Sequence, residues 1–293
     1  MFRGIQRLLF GSALVMLMQI DAATAAPKAK LIEFWNDREE SSALTIDYSS
    51  WNEILETYVI EGQSPDVNRF DYTAVTEGDR IKISEFLNSA QSMDPRQLNS
   101  LEQKAYWLNL YNAALIKEVI EKEVEESVRV LGNRLWRRDR LYISMQDTSL
   151  DDIEHGILRP IYNDPRIHFS IAAGAFGSGE IMTTAFTAQN VEQMLEEGAR
   201  KFINHPRGVL VEGDKATLSS IFKWYKTDFG NNSDEIKQYI LAYLDDDKKP
   251  AFEAVRRVAY DFDWQLNQPI TESEEPEPER RTQSRPNRGP KNR

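Results

Sequence analysis

The chain has 293 residues, a net charge of −11 and no cysteine, which excludes disulfide bonds, thiolate catalysis and a cysteine-linked lipid. Hydrophobic residues make up 41% of it, enough to fill the core of one globular domain. So acidic a surface repels nucleic acid and anionic membranes, and we expect neither as a partner.

Residues 1–25 have the pattern of a cleavable secretory signal. Two arginines precede an apolar run from Leu8 to Ile20, which is shorter than the roughly 20 residues that span a bilayer. Small residues at Ala23 and Ala25 fit a cleavage site, with cleavage expected after Ala25. The sequence therefore predicts a periplasmic or secreted protein that does not span the membrane after cleavage. An uncleaved N-terminal anchor is the alternative.

The other end of the chain, residues 271–293, contains four prolines, many charges and no large apolar residue. Such a segment cannot bury enough surface to offset the entropy lost on ordering, so we predict a disordered tail. It would act as a solubilising tail or as an electrostatic tether. Residues 26–270 are then expected to form one globular domain.

Capping residues and apolar periodicity predict helices along this domain. Capping boxes at Ser100–Gln103 and Ser149–Asp152 open two of them, and the first runs to about Glu121 with apolar residues almost all round. Pro160 is expected to stop the second. The other predicted helices run from Asp47 to Val59, from Ala188 to Asn204 behind a Thr187 cap, and onward from Ser233.

Predicted strands are shorter, with a turn at Gly213–Asp214. They are Arg140–Met145, Arg166–Ala172, Gly208–Glu212 and Tyr260–Leu266. Without a regular alternation of strand and helix, the order indicates an α+β fold. We expect a single compact domain with a buried central helix packed against a small, mostly antiparallel sheet.

Five motifs occur in a characteristic order, and they lie within residues 44–267. They are Glu102–Ala113, Ser149–Arg159, Asp164–Phe169, Leu218–Gly230 and Tyr260–Asn267. Together they resemble the family called domain of unknown function 547.

That resemblance implies no established activity. The family pattern has two cysteines after its second histidine, at the positions of Ala173 and Ser178 in this chain. Cysteine, histidine and Asn or Asp in such a domain would suggest a thiol mechanism, but a thiolate nucleophile is a prerequisite for it. The resemblance therefore does not carry thiol activity over to this chain.

Two histidines are the main candidates for chemistry. His155 could act as a general base oriented by Glu154 or Asp152, and His168 could sit at a strand end facing a cleft. The alternative is that both are buried structural histidines. A zinc site from these residues would match no known ligand spacing, so we expect no metal and no other cofactor.

Polar residues of the central helix are the next candidates. Asn109 and Asn112 share one helix face, with Glu102 nearly in line with them. They either form a structural network or line a pocket, as Asn does in Cys-His-Asn sites. With Arg166 and His168 they make up the predicted binding residues.

The loop that contains Ser178 is rich in glycine but has neither a phosphate-loop pattern nor a nucleophile elbow. Ser178 remains a candidate nucleophile, and the alternative is a substituted remnant loop. Aromatic residues near the C-terminal end of the domain would form packing or a ligand platform.

These features favour an exported soluble binding or accessory protein, a non-catalytic relative of a thiol-containing family. Its partner would be a small molecule, a peptide or a protein. The alternative is a hydrolase or transferase that uses His155 or His168 with a carboxylate or Ser178. A structural or adhesion module is the third. The enzyme would require His155, His168 and Asn109 or Asn112 to surround one cavity.

Overall fold

The computed structural model describes residues 26–62, 67–138 and 140–269. The predicted signal at 1–25 and the predicted tail at 271–293 lie outside these residues, so both stay predictions. Within the described part of the chain, every helix is too short or too polar to serve as a membrane span.

Helices and short strands follow one another along the chain. The α-helices are α1 (Ser49–Tyr58), α2 (Glu77–Ser92), α3 (Ser100–Glu121), α4 (Arg134–Arg137), α5 (Arg159–Tyr162), α6 (Val191–Asn204), α7 (Ile221–Trp224), α8 (Lys226–Phe229), α9 (Ser233–Tyr243) and α10 (Lys249–Glu253). A π-helix (Asp152–Leu158) leads directly into α5, and 3₁₀ turns lie at Glu33–Trp35, Pro95–Gln97, Val128–Leu131 and Pro165–Phe169. The strands are β1 (Val59–Ile60), β2 (Arg69–Phe70), β3 (Leu141–Ile143), β4 (Gln146–Thr148), β5 (Val209–Glu212), β6 (Lys215–Ser219) and β7 (Arg257–Asp261).

The strands form small sheets at the periphery. β1 pairs with β2 and β3 with β4, both antiparallel. β5 and β6 form an antiparallel hairpin whose predicted turn is confirmed, with Gly213 at the positive φ of 62° that glycine tolerates best. β7 joins the other side of β6 in parallel. Helices with small, mainly antiparallel sheets confirm the predicted α+β class.

Helix α3 is the buried centre of the fold. Every residue from Glu102 to Ile116 is buried, as its nearly continuous apolar pattern predicts. It packs on α2, α6 and the π-helix. The predicted capping box at Ser100 is wrong by one residue, because Asn99 is the N-cap and its side chain accepts the amide of Glu102 at 3.0 Å.

The stop predicted at Pro160 is wrong. The capping box before it is confirmed, since Ser149 Oγ and the Asp152 amide are 3.1 Å apart and Asp152 Oδ2 accepts the Ser149 amide at 3.0 Å. The helix then continues past Pro160 as far as Tyr162, by way of the π-helix. Helix interiors rarely tolerate proline, because it removes a backbone donor and crowds the preceding turn.

The N-terminal segment supplies the donors that the helix lacks. Pro160 has no N–H to offer Gly156 O, and the amide of Arg159 goes to Glu154 O. Instead, the amide of Ile32 donates to Gly156 O at 3.0 Å, and that of Lys30 donates to His155 O at 2.9 Å. Two buried carbonyls are therefore satisfied from outside the helix.

Three other predicted boundaries need correction. The segment predicted as a strand over 166–172 begins as the 3₁₀ turn Pro165–Phe169, because Asp164 accepts the amide of Arg166 and Pro165 favours a turn. Helix α6 begins three residues later than predicted, since Thr187 caps a preceding turn at Asn190 rather than the helix itself. The last strand spans Arg257–Asp261, earlier than predicted.

Candidate functional site

A cavity of about 820 Å³ lies where the two hydrophobic clusters of the fold meet. The π-helix, the turn at 165–169, the loop at 171–179 and α7 contribute to its wall. Its acidic and imidazole side chains are Asp151, Glu154, His155 and His168. Its aromatic side chains are Tyr111, Trp136, Trp224, Tyr225, Phe262 and Trp264. Both candidate histidines therefore share one cavity.

His168 is held by a carboxylate from α8. Its Nε2 lies 2.8 Å from Asp228 Oδ2. Burial pushes the pKa of Asp228 up, but hydrogen bonds from His168 and Arg159 outweigh it and hold that pKa well below its usual range. An ionised carboxylate can only accept, so the Nε2 atom carries the proton. The other ring nitrogen, Nδ1, faces Glu154 Oε1 at 3.8 Å.

Arg159 ties the site together. Its guanidinium binds Asp228 in a bidentate pair, with distances of 2.6 and 2.9 Å, and its Nη1 donates to Pro27 O at 2.7 Å. Nη1 also lies 3.1 Å from His155 Nδ1. Because a guanidinium only donates, His155 Nδ1 must accept, which places the imidazole proton on Nε2. That Nε2 lies 3.9 Å from Asp151.

Two tyrosines border Glu154. The ring of Tyr225 packs on His168 with centroids 4.0 Å apart, and the Arg159 guanidinium carbon lies 4.9 Å from the centre of the same tyrosine ring. Burial first, and then the negative charge of Glu154, raises the pKa of Tyr225 and of Tyr111 well above the usual value. Among the described residues, the buried Tyr111 hydroxyl has no hydrogen-bond partner, although Glu154 is near enough to shift its pKa.

The two positions that hold cysteine in the family pattern also line the cavity. Ala173 has no reactive side-chain atom, and the hydroxyl of Ser178 is hydrogen-bonded within its own loop. Its Oγ donates to Ala175 O at 2.6 Å and accepts the amide of Ala173 at 3.1 Å. The hydroxyl therefore braces its own loop, and neither histidine is hydrogen-bonded to it in the part of the chain that the structure describes.

The predicted residues of the central helix serve a different purpose. Asn109 Oδ1 accepts a hydrogen bond from the backbone amide of Phe186 at 3.0 Å, and Asn109 Nδ2 donates to the backbone carbonyl of Phe186 at 2.7 Å. Asn112 pairs in the same way with Ser170 O at 3.1 Å and with the amide of Ala172 at 3.0 Å. Both asparagines tie α3 to neighbouring loops, and neither is a lining residue of the cavity.

Glu102 and Arg166 also lie outside the cavity lining. Glu102 accepts the amides of Ile46 at 2.9 Å and Ala188 at 3.1 Å. Arg166 forms ion pairs with Asp164 and with Glu192 of α6. Of the predicted site residues, the structure brings together only Glu154, His155, His168 and Ser178.

Asp228, Arg159 and Tyr111 were not predicted as site residues, whereas Tyr225 is one of the aromatic residues for which a ligand platform was an alternative to packing. A signal existed for Arg159, since it follows His155 by four residues and so shares its helix face. Asp228 lies 60 positions after His168, and only the tertiary fold shows that the two meet. Among the described residues, no group of three or more His, Asp or Glu side chains is placed to hold a metal ion.

Comparison with known families places part of this geometry in context. Residues 95–203 match the family model described as protein of unknown function, DUF547. The resemblance to DUF547 is confirmed. The DUF547 region includes His155, His168 and both substituted cysteine positions, but it ends before Asp228. No curated protein and no solved structure matches the chain.

Proposed function

We propose that this protein is an exported, soluble binding or accessory protein that holds a small ligand in the cavity, without thiol catalysis. One observation carries the proposal. The cavity has both histidines and the carboxylates of Asp151 and Glu154, while the cysteine positions of the DUF547 pattern hold Ala173 and Ser178 within the same wall. A nucleophile is missing at the place where the surrounding groups would act on it.

The size and lining of the cavity support binding. Pockets for small ligands have volumes of about 300–1,000 Å³, apolar and aromatic walls and a few placed polar groups. This cavity, at about 820 Å³, has six aromatic lining residues and a small set of carboxylates, imidazoles and guanidinium groups. His168, a lining residue that Asp228 holds in place, would contact a ligand without rearrangement, which lowers the entropic cost of binding.

A filled cavity tests this proposal. Ala173→Leu would occupy the space beside the histidines, whereas Ala251→Leu changes an exposed position on α10 and serves as the control. Thermal-shift screening of amines, carboxylates, sugars and short peptides should find a compound that stabilises the wild type and Ala251→Leu. Equal stabilisation of Ala173→Leu, or no stabilising compound in the panel, would contradict binding in this cavity.

Export to the periplasm or beyond belongs to the same proposal and is supported by the signal pattern of residues 1–25. Mass spectrometry of the mature protein should give Ala26 as its first residue. A membrane-bound product that retains Met1 would contradict cleavage.

A hydrolase is the second candidate, favoured by the pairing of His168 with Asp228. The carboxylate fixes the proton on Nε2 and leaves Nδ1 toward Glu154, an arrangement that can polarise a water molecule. Hydrolysis of an ester or amide by the wild type, abolished in His168→Ala, would replace the binding proposal with this one.

Cysteine placed at Ala173 or Ser178 tests what remains of a thiol site. If His168 lies beside the new sulfur, the thiol pKa should fall below about 8.5 and alkylation should accelerate. Ordinary thiol reactivity at both positions would show that His168 does not act on them.

A further inference from the structure

The charge distribution of the cavity points to the class of ligand. We propose that the ligand is a small organic cation, bound with its positive charge against Glu154. This inference rests on the proposed binding function and goes further by naming what binds.

Glu154 is a buried carboxylate whose nearest basic groups, among the described side chains, are two imidazoles. Glu154 is 6% exposed. Its Oε1 atom lies 3.8 Å from His155 Nδ1 and 3.8 Å from His168 Nδ1. These distances exceed a hydrogen bond. Among the described side chains, no lysine or arginine nitrogen comes within 4.0 Å of it. A buried charge is costly unless it is paired, so this position favours a cation.

The other charged side chains of the site have partners. Arg129, which also lines the cavity, has its guanidinium 5.5 Å from the centre of the Trp264 ring. Asp228 is bound by both Arg159 and His168. Asp151 lies 3.4 Å from Arg137, whose side chain is largely exposed at the rim. His155 Nδ1 accepts from Arg159 and so has no proton to give to Glu154. Glu154 is thus the acid of the cavity that a ligand would neutralise.

The walls around Glu154 suit an organic cation. Tyrosine and tryptophan faces attract ammonium groups, and such aromatic cages recognise quaternary ammonium ligands. Tyr225 already contacts one cation of the protein, the Arg159 guanidinium. Tyr111 borders the same carboxylate, and this fully buried lining residue has a hydroxyl without a hydrogen-bond partner among the described residues. A ligand in the cavity would lie beside that unsatisfied group.

Choline and its neutral isostere, 3,3-dimethylbutan-1-ol, separate charge from shape. Trp136, Trp224 and Trp264 line the cavity, so tryptophan fluorescence reports occupancy. Choline should bind the unmodified protein about tenfold or more tighter than the alcohol, since cation–π contacts and one buried charge exceed 1.4 kcal/mol. Equal affinity for the two compounds, or no response to choline, would overturn the proposal.

Variants locate the charge. Glu154→Gln should weaken choline binding about tenfold or more while leaving the affinity for the alcohol unchanged. Glu85→Gln, on the exposed face of α2, is the matched control and should bind both compounds as the wild type does. Unchanged choline binding in Glu154→Gln would overturn the assignment. If Glu154→Gln does not fold, the comparison of the two compounds in the unmodified protein still decides.

The inference and the binding function can fail separately. If only neutral or anionic compounds bind, and Ala173→Leu abolishes their binding, the cavity is a ligand site but not for a cation. If choline binds with full affinity to Ala173→Leu, its site lies elsewhere and the inference is wrong.

Discussion

Replacing Asn112 by alanine tests whether the central helix is fastened by its polar side chains. The substitution leaves Ser170 O and the amide of Ala172 unpaired in the interior. Each unsatisfied buried group costs about 1–3 kcal/mol, and the better helix propensity of alanine returns about 0.5 kcal/mol. We therefore expect a loss of about 2–5 kcal/mol in the free energy of unfolding.

Urea denaturation of Asn112→Ala beside Asn88→Ala measures this loss. Asn88 is an exposed residue of α2, so its substitution makes the same chemical change in a helix without breaking buried bonds. The expected loss for Asn112→Ala corresponds to a fall of roughly 5–15 °C in Tm for a domain of this size. A change no larger than that of Asn88→Ala would refute the structural role of Asn112.

Three further predictions concern the loop, the site and the tail. Gly179→Ala should destabilise by about 1–3 kcal/mol, because its Cβ would lie 2.6 Å from the carbonyl carbon of Phe169. Gly78→Ala on α2 is the control and should be neutral or stabilising, because its Cβ would make only an ordinary contact of 3.8 Å with Thr76 Oγ1. Chemical denaturation compares the two variants. Because the folded pKa of Asp228 is depressed, its contribution to stability is complete above its unfolded pKa of about 3.9 and is lost as the pH falls below it. Tm measured between pH 5 and 2 should therefore fall less steeply for Asp228→Asn, and parallel curves would contradict this. Deleting residues 271–293 should leave Tm within about 2 °C, and a drop of about 5 °C would mean that the tail docks on the fold.

Local patterns in the sequence predicted much of the fold. Apolar residues on nearly all sides of α3 predicted a buried helix. The capping box at Ser149–Asp152 predicted the start of the helix that contains His155. The predicted helix end at Pro160 was wrong because backbone groups far away in the sequence contact that helix. Pro160 ends most helices, but here Lys30 and Ile32 donate to carbonyls that the proline leaves open. No local rule contains that information.

The sequence likewise predicted only some of the site residues. His155 and His168 were identifiable because the chain has only three histidines, and the family motifs drew attention to them. Asn109 and Asn112 looked equally suited to a pocket, since one helix face presents them both. Burial alone could not distinguish a pocket floor from loop anchors, and their backbone partners lie 58–77 positions away in the chain.

The junction of Pro27, Arg159 and Asp228 has a consequence for how the protein acquires its site. Arg159 bonds a carbonyl 132 positions before it and a carboxylate 69 positions after it. A partly synthesised chain lacks that carboxylate, so the guanidinium cannot yet be buried without an unpaired charge. Contacts of such long range also form slowly. Ligand binding should therefore appear late and abruptly during folding, and a fragment limited to residues 95–203 should never acquire it.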